Sequence, residues 1–394
     1  MRKRLKAKKL PDLTLVLVIL SILLFGVIMV YDSSVVYASD LFGGKYYFLI
    51  LQSFWVGVAL MVGMIASLVD YHLLSRLTKF LLLASLAFLI ILALPRILPS
   101  VFLPFYEVFV PKINGAYRWF YLNPRPLPPI PILGRIGFQP SEFAKIAISL
   151  YLASLLSSQK KRGVLLNLMI MAGLFGGLVV AQPDFGTATI IVGVALLIYY
   201  VSGAPMRNLV LVSILILVLG LIFVGSSPYR RQRLETYLFP SQSNTPSSRY
   251  QINQVLIALG SGGLTGLGFG KSVQKYGYIP EVSTDSIFSI VGEEFGFIGT
   301  VLMVGLFFLL IYRLLWIVGR LPDEFGRLLG SGIAGFIGFQ VFLNLFSMTH
   351  LVPLTGVPLP LISYGGSSLV VNLFALGIVL NMSRQIVDNK KVRI

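Results

Sequence analysis

The chain has 394 residues, 56% of them hydrophobic and 12% charged, with a formal net charge of +17. A mean hydropathy of +0.86 excludes an ordinary water-soluble domain. With no cysteine and only His72 and His350, disulfides, thiolate metal sites and histidine-rich zinc centres are excluded as well, so any metal must rest on oxygen ligands.

Apolar runs close to the ~20 residues that cross a bilayer predict ten transmembrane helices. They fall near 13–31, 46–69, 80–95, 141–157, 164–181, 187–202, 208–225, 286–311, 328–347 and 367–382. The first run follows Arg2, Lys3, Arg4, Lys6, Lys8 and Lys9 and has no small-residue cleavage site after it, so it reads as a retained anchor and not a signal peptide. More than half of the basic residues then lie on the side of both termini, including Lys160, Lys161 and Arg162, Arg313, Arg320 and Arg327, and the tail from Arg384 to Arg393. The positive-inside rule puts both termini in the cytoplasm. The expected architecture is an all-α polytopic membrane protein, one transmembrane domain over 1–394, with two large outer loops, 96–140 and 226–285, around an outward-facing cavity. No convincing internal repeat is visible, which argues against an inverted-repeat transporter.

Together the two outer loops hold far more Arg and Lys than Asp and Glu. Long loops are weakly governed by topology rules, so this excess suggests an anionic ligand near the bilayer, the alternative being solvated charge. In the first loop, Arg118 and Trp119 put a cation beside an aromatic face, suited to pyrophosphate or sugar, although aromatic belts also place such residues. Glu142 and Lys145 stand three apart on one helix face at the start of the fourth span and can pair, either to make the span tolerable or to place substrate. Asp184, in Gln182-Pro-Asp-Phe-Gly-Thr187, caps a helix or takes part in a site.

The second loop is glycine-rich from Gly260 to Gly270 and continues through Lys271 and Lys275 to Asp285. Glycines permit close backbone approach and lysines supply charge, a combination suited to pyrophosphate. The spacing matches neither a P-loop nor a dinucleotide fold. Asp285 stands at the outer mouth, where a helix start favours its charged form unless burial raises its pKa. Glu293 and Glu294 cannot both share its helix face, so at least one points into the bundle as a structural partner. The turn Pro353–Ser368 is too rich in proline and glycine to span, and backbone of this kind must be buried or line a wet cavity.

These segments resemble the SEDS (RodA/FtsW) family over nearly the whole chain. The carriers are Asn114-Gly-Ala-Tyr-Arg-Trp119, Phe138-Gln-Pro-Ser-Glu-Phe-Ala-Lys145, Gln182-Pro-Asp-Phe-Gly-Thr-Ala188, Gln274-Lys-Tyr-Gly-Tyr-Ile-Pro-Glu281 with Thr284-Asp285, Gly292-Glu-Glu-Phe-Gly-Phe-Ile-Gly299, and Gly356-Val-Pro-Leu-Pro-Leu-Ile-Ser-Tyr-Gly-Gly-Ser-Ser368. The Gln274 and Gly356 stretches read more like FtsW than RodA.

The resemblance implies a peptidoglycan glycosyltransferase of the bacterial cytoplasmic membrane, active in cell division or cell-shape maintenance. It would polymerise lipid II at the outer face by a single inverting displacement that releases undecaprenyl pyrophosphate. Asp285 falls on the family's essential aspartate, Arg118 and Trp119 on its outer-loop motif, and Glu142, Lys145 and Asp184 on positions lining or supporting the cavity. Lys271, Lys275 and Arg249 are electrostatic candidates for the pyrophosphate. A divalent cation, Mg or Mn, on carboxylate and phosphate oxygens, Asp285 among them, is the cofactor expectation; no nucleotide, haem or zinc is expected. The implied partners are a class B penicillin-binding transpeptidase and other divisome or elongasome membrane proteins, with no nucleic acid. The chain departs from the family in having Ser283 where histidine is usual and Gln182 where glutamate is common. A lipid II flippase and a noncatalytic divisome scaffold are the competing readings.

Overall fold

The computed structural model describes residues 10–97, 108–113, 115–123, 134–158, 164–225, 231, 237–238 and 246–386. Much of both large outer loops therefore lies outside the described residues. Eleven helices and one short hairpin are described. In chain order they are α1 Leu13–Phe42, α2 Tyr47–Leu68, α3 His72–Ile97, β1 Phe120–Tyr121, β2 Gly137–Phe138, α4 Pro140–Ser158, α5 Val164–Ala181, α6 Phe185–Val201, α7 Met206–Gly225, α8 Pro246–Ser261, α9 Ile287–Val318, α10 Glu324–Met348 and α11 Gly366–Ser383.

Ten of these helices occupy the ten expected spans. Six of them, α1, α2, α3, α9, α10 and α11, are long and apolar enough to cross a membrane, and most of α5, α6 and α7 forms shorter apolar helices. The tenth, α4, packs against α3, α6 and α10 and buries nearly every side chain of its first three turns, Glu142 and Lys145 included. Enclosure by other helices is what lets α4 carry charge at membrane depth.

Backbones approach closely where α2 crosses α11. A Cβ added to Gly377 would stand 2.2 Å from the Gly63 carbonyl oxygen, and one on Gly63 would stand 2.8 Å from that of Leu373. Small residues at helix crossings permit such contact, which drives association where lipid removes the hydrophobic incentive. In α7 the side chains of Leu211, Ile214, Leu217, Val218, Leu221 and Ile222 are exposed, as suits a surface turned to acyl chains.

Helix α8 lies inside the stretch expected to be loop. Val255 and Ala258 are buried, with Leu259 partly buried beside them, the three-and-four spacing of an amphipathic face, and α8 packs on α9.

The glycine-rich segment after α8 has a structural task. Helix α9 is broken at Gly296, whose φ of 64° and ψ of −161° are not helical. The break frees the Glu293 and Glu294 carbonyls and the Phe297 and Ile298 amides. Leu267 N–H donates to Glu293 O at 3.0 Å and Gly268 N–H to Glu294 O at 3.0 Å, while Phe297 N–H donates to Gly263 O at 2.9 Å and Ile298 N–H to Leu264 O at 3.1 Å. The loop thus supplies all four partners that the helix gives up. Added Cβ atoms at Gly262 and Gly266 would fall 2.0 and 2.1 Å from the carbonyl oxygens of Gly292 and Glu294. The pyrophosphate cradle expected of these glycines is corrected by this contact: their backbone groups are spent on α9. Gly266→Val, which also opposes a φ of +80°, is expected to destabilise the fold by about 3 kcal/mol or more, seen as a lowered melting temperature in detergent.

Candidate active site

At one end of the bundle, the starts of α4 and α6, the end of α1 and the segments 275–285 and 356–368 surround a cavity of about 630 Å³. Arg118, Trp119, Glu142, Asp184, Glu281, Asp285 and Tyr364 all line it. Segments distant in sequence, singled out one by one from their residue types, are thereby brought together.

Asp285 sits two residues before α9 with only 8% of its surface exposed. Its carbonyl accepts from Asn344 Nδ2 at 2.7 Å, and the same amide reaches Val357 O at 2.9 Å. Asn344 of α10 therefore clamps the aspartate's backbone to the 356–365 turn, and Tyr364 N–H donating to Ser283 O at 2.9 Å makes a second tie. One carboxylate oxygen accepts from Thr284 Oγ1 at 3.0 Å. Burial, and then the charge of Glu281, push the Asp285 carboxyl up to about 7, away from the well-ionised group that a helix start alone would favour. The sign for stability follows: the native state retains a proton that the unfolded chain has released, so this group's contribution falls as pH rises from the ordinary carboxylate range through about 7.

Asp184 meets both sequence readings. It caps α6 through Thr187 N–H to Oδ1 at 3.0 Å, and its other oxygen accepts from Gln139 Nε2 at 3.2 Å on the cavity wall. Burial raises its pKa while Arg118 opposes the rise. Arg118 donates from Nε to Gln182 O at 3.0 Å and from Nη2 to Pro183 O, so the guanidinium is fixed on the turn that precedes the cap. Gln182 in turn donates from Nε2 to Leu89 O at 3.2 Å. A glutamate, the residue common at this position in the family, could make that bond only when protonated.

Among the other cations, the structure corrects three expectations. Lys145 is fully buried, with Nζ 2.9 Å from Glu142 Oε1, and is not among the cavity-lining residues; only Glu142 of that pair reaches the wall. Lys275 contributes to the wall, but its ammonium is buried between Asp32 Oδ1 at 2.8 Å and Glu294 Oε1 at 2.9 Å. Lys271 is exposed and off the cavity lining. Arg249 belongs to α8, with its side chain outside the described residues. Arg118 is thus the cation of the described site whose charge borders the cavity.

Glu293 and Glu294 both point inward. Glu294 accepts from Gly270 N–H and Ser272 N–H at 3.0 Å each, and Glu293 from Val273 N–H at 3.0 Å and from Ser272 Oγ. Their carboxylates hold the start of the segment that ends at Asp285. Sequence reasoning missed Glu281, Asn344 and Asp32 as parts of the arrangement. Asp32 gave a signal, since a carboxylate at the edge of an apolar run needs a partner. Among the described residues, no three Asp, Glu or His side chains form a ready metal cluster.

Residues 13–387 match the family model FTSW_RODA_SPOVE, described as cell cycle protein. Stage V sporulation protein E of Bacillus subtilis (strain 168) is 37% identical over 96% of this chain and 98% of its own. A probable peptidoglycan glycosyltransferase FtsW of Trichlorobacter lovleyi is 34% identical over 94% of this chain and 93% of its own. Among solved structures, a chain of a peptidoglycan synthase complex, described as structurally coordinating polymerization and crosslinking, superposes with a TM-score of 0.74 at 29% identity, covering 95% of this chain and 98% of that one. The rod shape determining protein RodA of Thermus thermophilus superposes with a TM-score of 0.67 at 28% identity, covering 98% and 100%. The chain belongs to the FtsW/RodA/SpoVE family, the SEDS family to which its motifs pointed.

Proposed function

We propose that this chain is a peptidoglycan glycosyltransferase that polymerises lipid II at the outer face of the bacterial cytoplasmic membrane, with both termini in the cytoplasm. The observation that carries the reading is Asp285: a buried carboxyl with a pKa near neutrality, fixed by Asn344 at the edge of a large cavity that also holds Arg118 and Trp119. Names of relatives in the family support the same activity.

In this reading the 4-hydroxyl of an acceptor N-acetylglucosamine attacks C1 of the donor's N-acetylmuramic acid. The new O–C1 bond forms as the bond from C1 to the pyrophosphate oxygen breaks, and Asp285 takes the hydroxyl proton. Arg118 offers positive charge to the departing undecaprenyl pyrophosphate, and Trp119 offers a flat apolar face to a sugar ring. Glu281 and Asp285, adjacent carboxylates whose repulsion a cation would relieve, fit Mg or Mn when substrate phosphate oxygens complete the shell. The ion would supply charge neutralisation on those oxygens. A class B penicillin-binding transpeptidase is the proposed partner, supported by the likeness to a synthase complex that joins polymerization to crosslinking.

The reading is tested by the pH dependence of lipid II polymerisation in the presence of that transpeptidase. Because Asp285 must be ionised to accept a proton, the rate should fall about tenfold per pH unit well below the group's pKa of about 7. A rate that holds level down to pH 5 contradicts the assignment of Asp285 as base.

A further inference from the structure

At the end of the bundle opposite Asp285 lies a second concavity of about 270 Å³, between α1, α2 and α11. Its walls are almost wholly apolar, with Leu20, Leu60, Met64, Leu376 and Leu380 among them, and Arg384 stands at its rim. Leu20, Leu60 and Met64 are exposed and sit at membrane depth, so the medium that meets this groove is lipid.

Its charged rim sets it apart from an ordinary lipid-facing crease. Arg384 is half-buried just past α11, and its Nε is buried with no hydrogen-bond partner among the described residues. The half-exposed guanidinium can pair with an anionic oxygen. The two chain ends also meet here, since Asp12 N–H donates to Ser383 Oγ at 3.0 Å. In sequence, Arg2, Lys3, Arg4, Lys6, Lys8 and Lys9 precede the first of these ends, and Asp388, Lys390, Lys391 and Arg393 follow the second. Asp12, beside this point, is already taken by Arg313, whose Nε lies 2.9 Å from its Oδ1. Basic residues outnumber acids in both chain ends, so net positive charge stands beside an apolar slot, the arrangement that selects anionic lipid headgroups over zwitterionic ones.

We propose that this groove is a binding site for a diacyl anionic phospholipid of the surrounding membrane. One acyl chain lies along Leu20, Leu60 and Leu380, and the headgroup phosphate accepts from Arg384.

The test is native mass spectrometry of the full-length protein in detergent, titrated with phosphatidylglycerol or with phosphatidylcholine of the same acyl chains. The wild type should retain phosphatidylglycerol about fivefold more tightly. Arg384→Gln should remove most of that preference and Arg384→Lys should keep part of it, with the basic termini intact in both. Met64→Trp provides a second reading, because brominated-acyl phosphatidylglycerol should quench the added tryptophan fluorescence more than brominated phosphatidylcholine does. Equal affinity of the wild type for the two lipids overturns the proposal. An unchanged preference in a folded Arg384→Gln variant also overturns it, by assigning the selectivity to the termini alone.

Discussion

Asp285→Asn is expected to lower glycan polymerisation by about a thousandfold, within the range that loss of a positioned general base produces. The substitution keeps the size and planarity of the side chain but removes its capacity to take a proton. The contacts that fix the residue are independent of its charge. Asn344 holds its backbone carbonyl, and Thr284 Oγ1 reaches the oxygen that an asparagine retains. Burying a carboxyl beside Glu281 costs the native state free energy at neutral pH, so the amide should fold at least as well as the wild type. Activity lost together with an unchanged or raised melting temperature marks Asp285 as a reacting group. Activity lost together with the fold would reduce it to a structural one.

Lys275→Met is expected to destabilise the fold by about 3–5 kcal/mol. The lysine is enclosed with Asp32 of α1 on one side and Glu294 of α9 on the other. Burial pulls its pKa down, yet the two carboxylates together hold it above its ordinary value, so the site is built around the charged form. Removing the cation leaves two carboxylates buried without it. Glu294 still has the Gly270 and Ser272 amides, whereas the second oxygen of Asp32 has no hydrogen-bond partner among the described residues. Adding Asp32→Asn should therefore restore part of the loss, and the double variant should melt above Lys275→Met alone. A double variant less stable than the single one would show that the pairing carries no such energy. Because Lys275 begins the stretch that delivers Asp285 to the cavity, polymerisation should fall with stability in the single variant and recover with it in the double.

The spans were legible because lipid imposes a simple rule on composition: ten apolar runs became ten helices. Helix ends were legible in part: α9 begins within a residue of its expected start, whereas α1 runs past its expected end. The expected first span stops at 31, yet α1 continues to Phe42 with Asp32, Ser33 and Ser34 buried. The burial of Asp32 depends on Lys275, a partner 243 positions away in sequence, and hydropathy along the chain does not contain that fact. The stretch ahead of the glycines reads as helical, but the amphipathic face of Val255, Ala258 and Leu259 that packs α8 on α9 was left unused inside an expected long loop.

In the site, motifs with special residue types were legible and their geometry was not. Asp285, Arg118, Trp119, Glu142 and Asp184 do reach one cavity. The lysines misled because charge in a loop reads the same whether it faces solvent, substrate or a buried acid. Lys145 and Lys275 are neutralised by Glu142, Asp32 and Glu294, which leaves Arg118 to border the cavity. The glycines misled for a related reason. Close backbone approach was correctly inferred, but the object approached is the broken turn of α9, not a phosphate.

The most direct test of the central claim is polymerisation of fluorescent lipid II by the purified full-length chain bound to its transpeptidase, read as glycan strands separated on a gel. The account predicts a ladder of strands from the wild type and none from Asp285→Asn with the partner equally bound. Absence of a ladder from the partner-bound wild type, with lipid II instead crossing the bilayer of protein-containing vesicles, would contradict it and make the cavity a passage for the lipid.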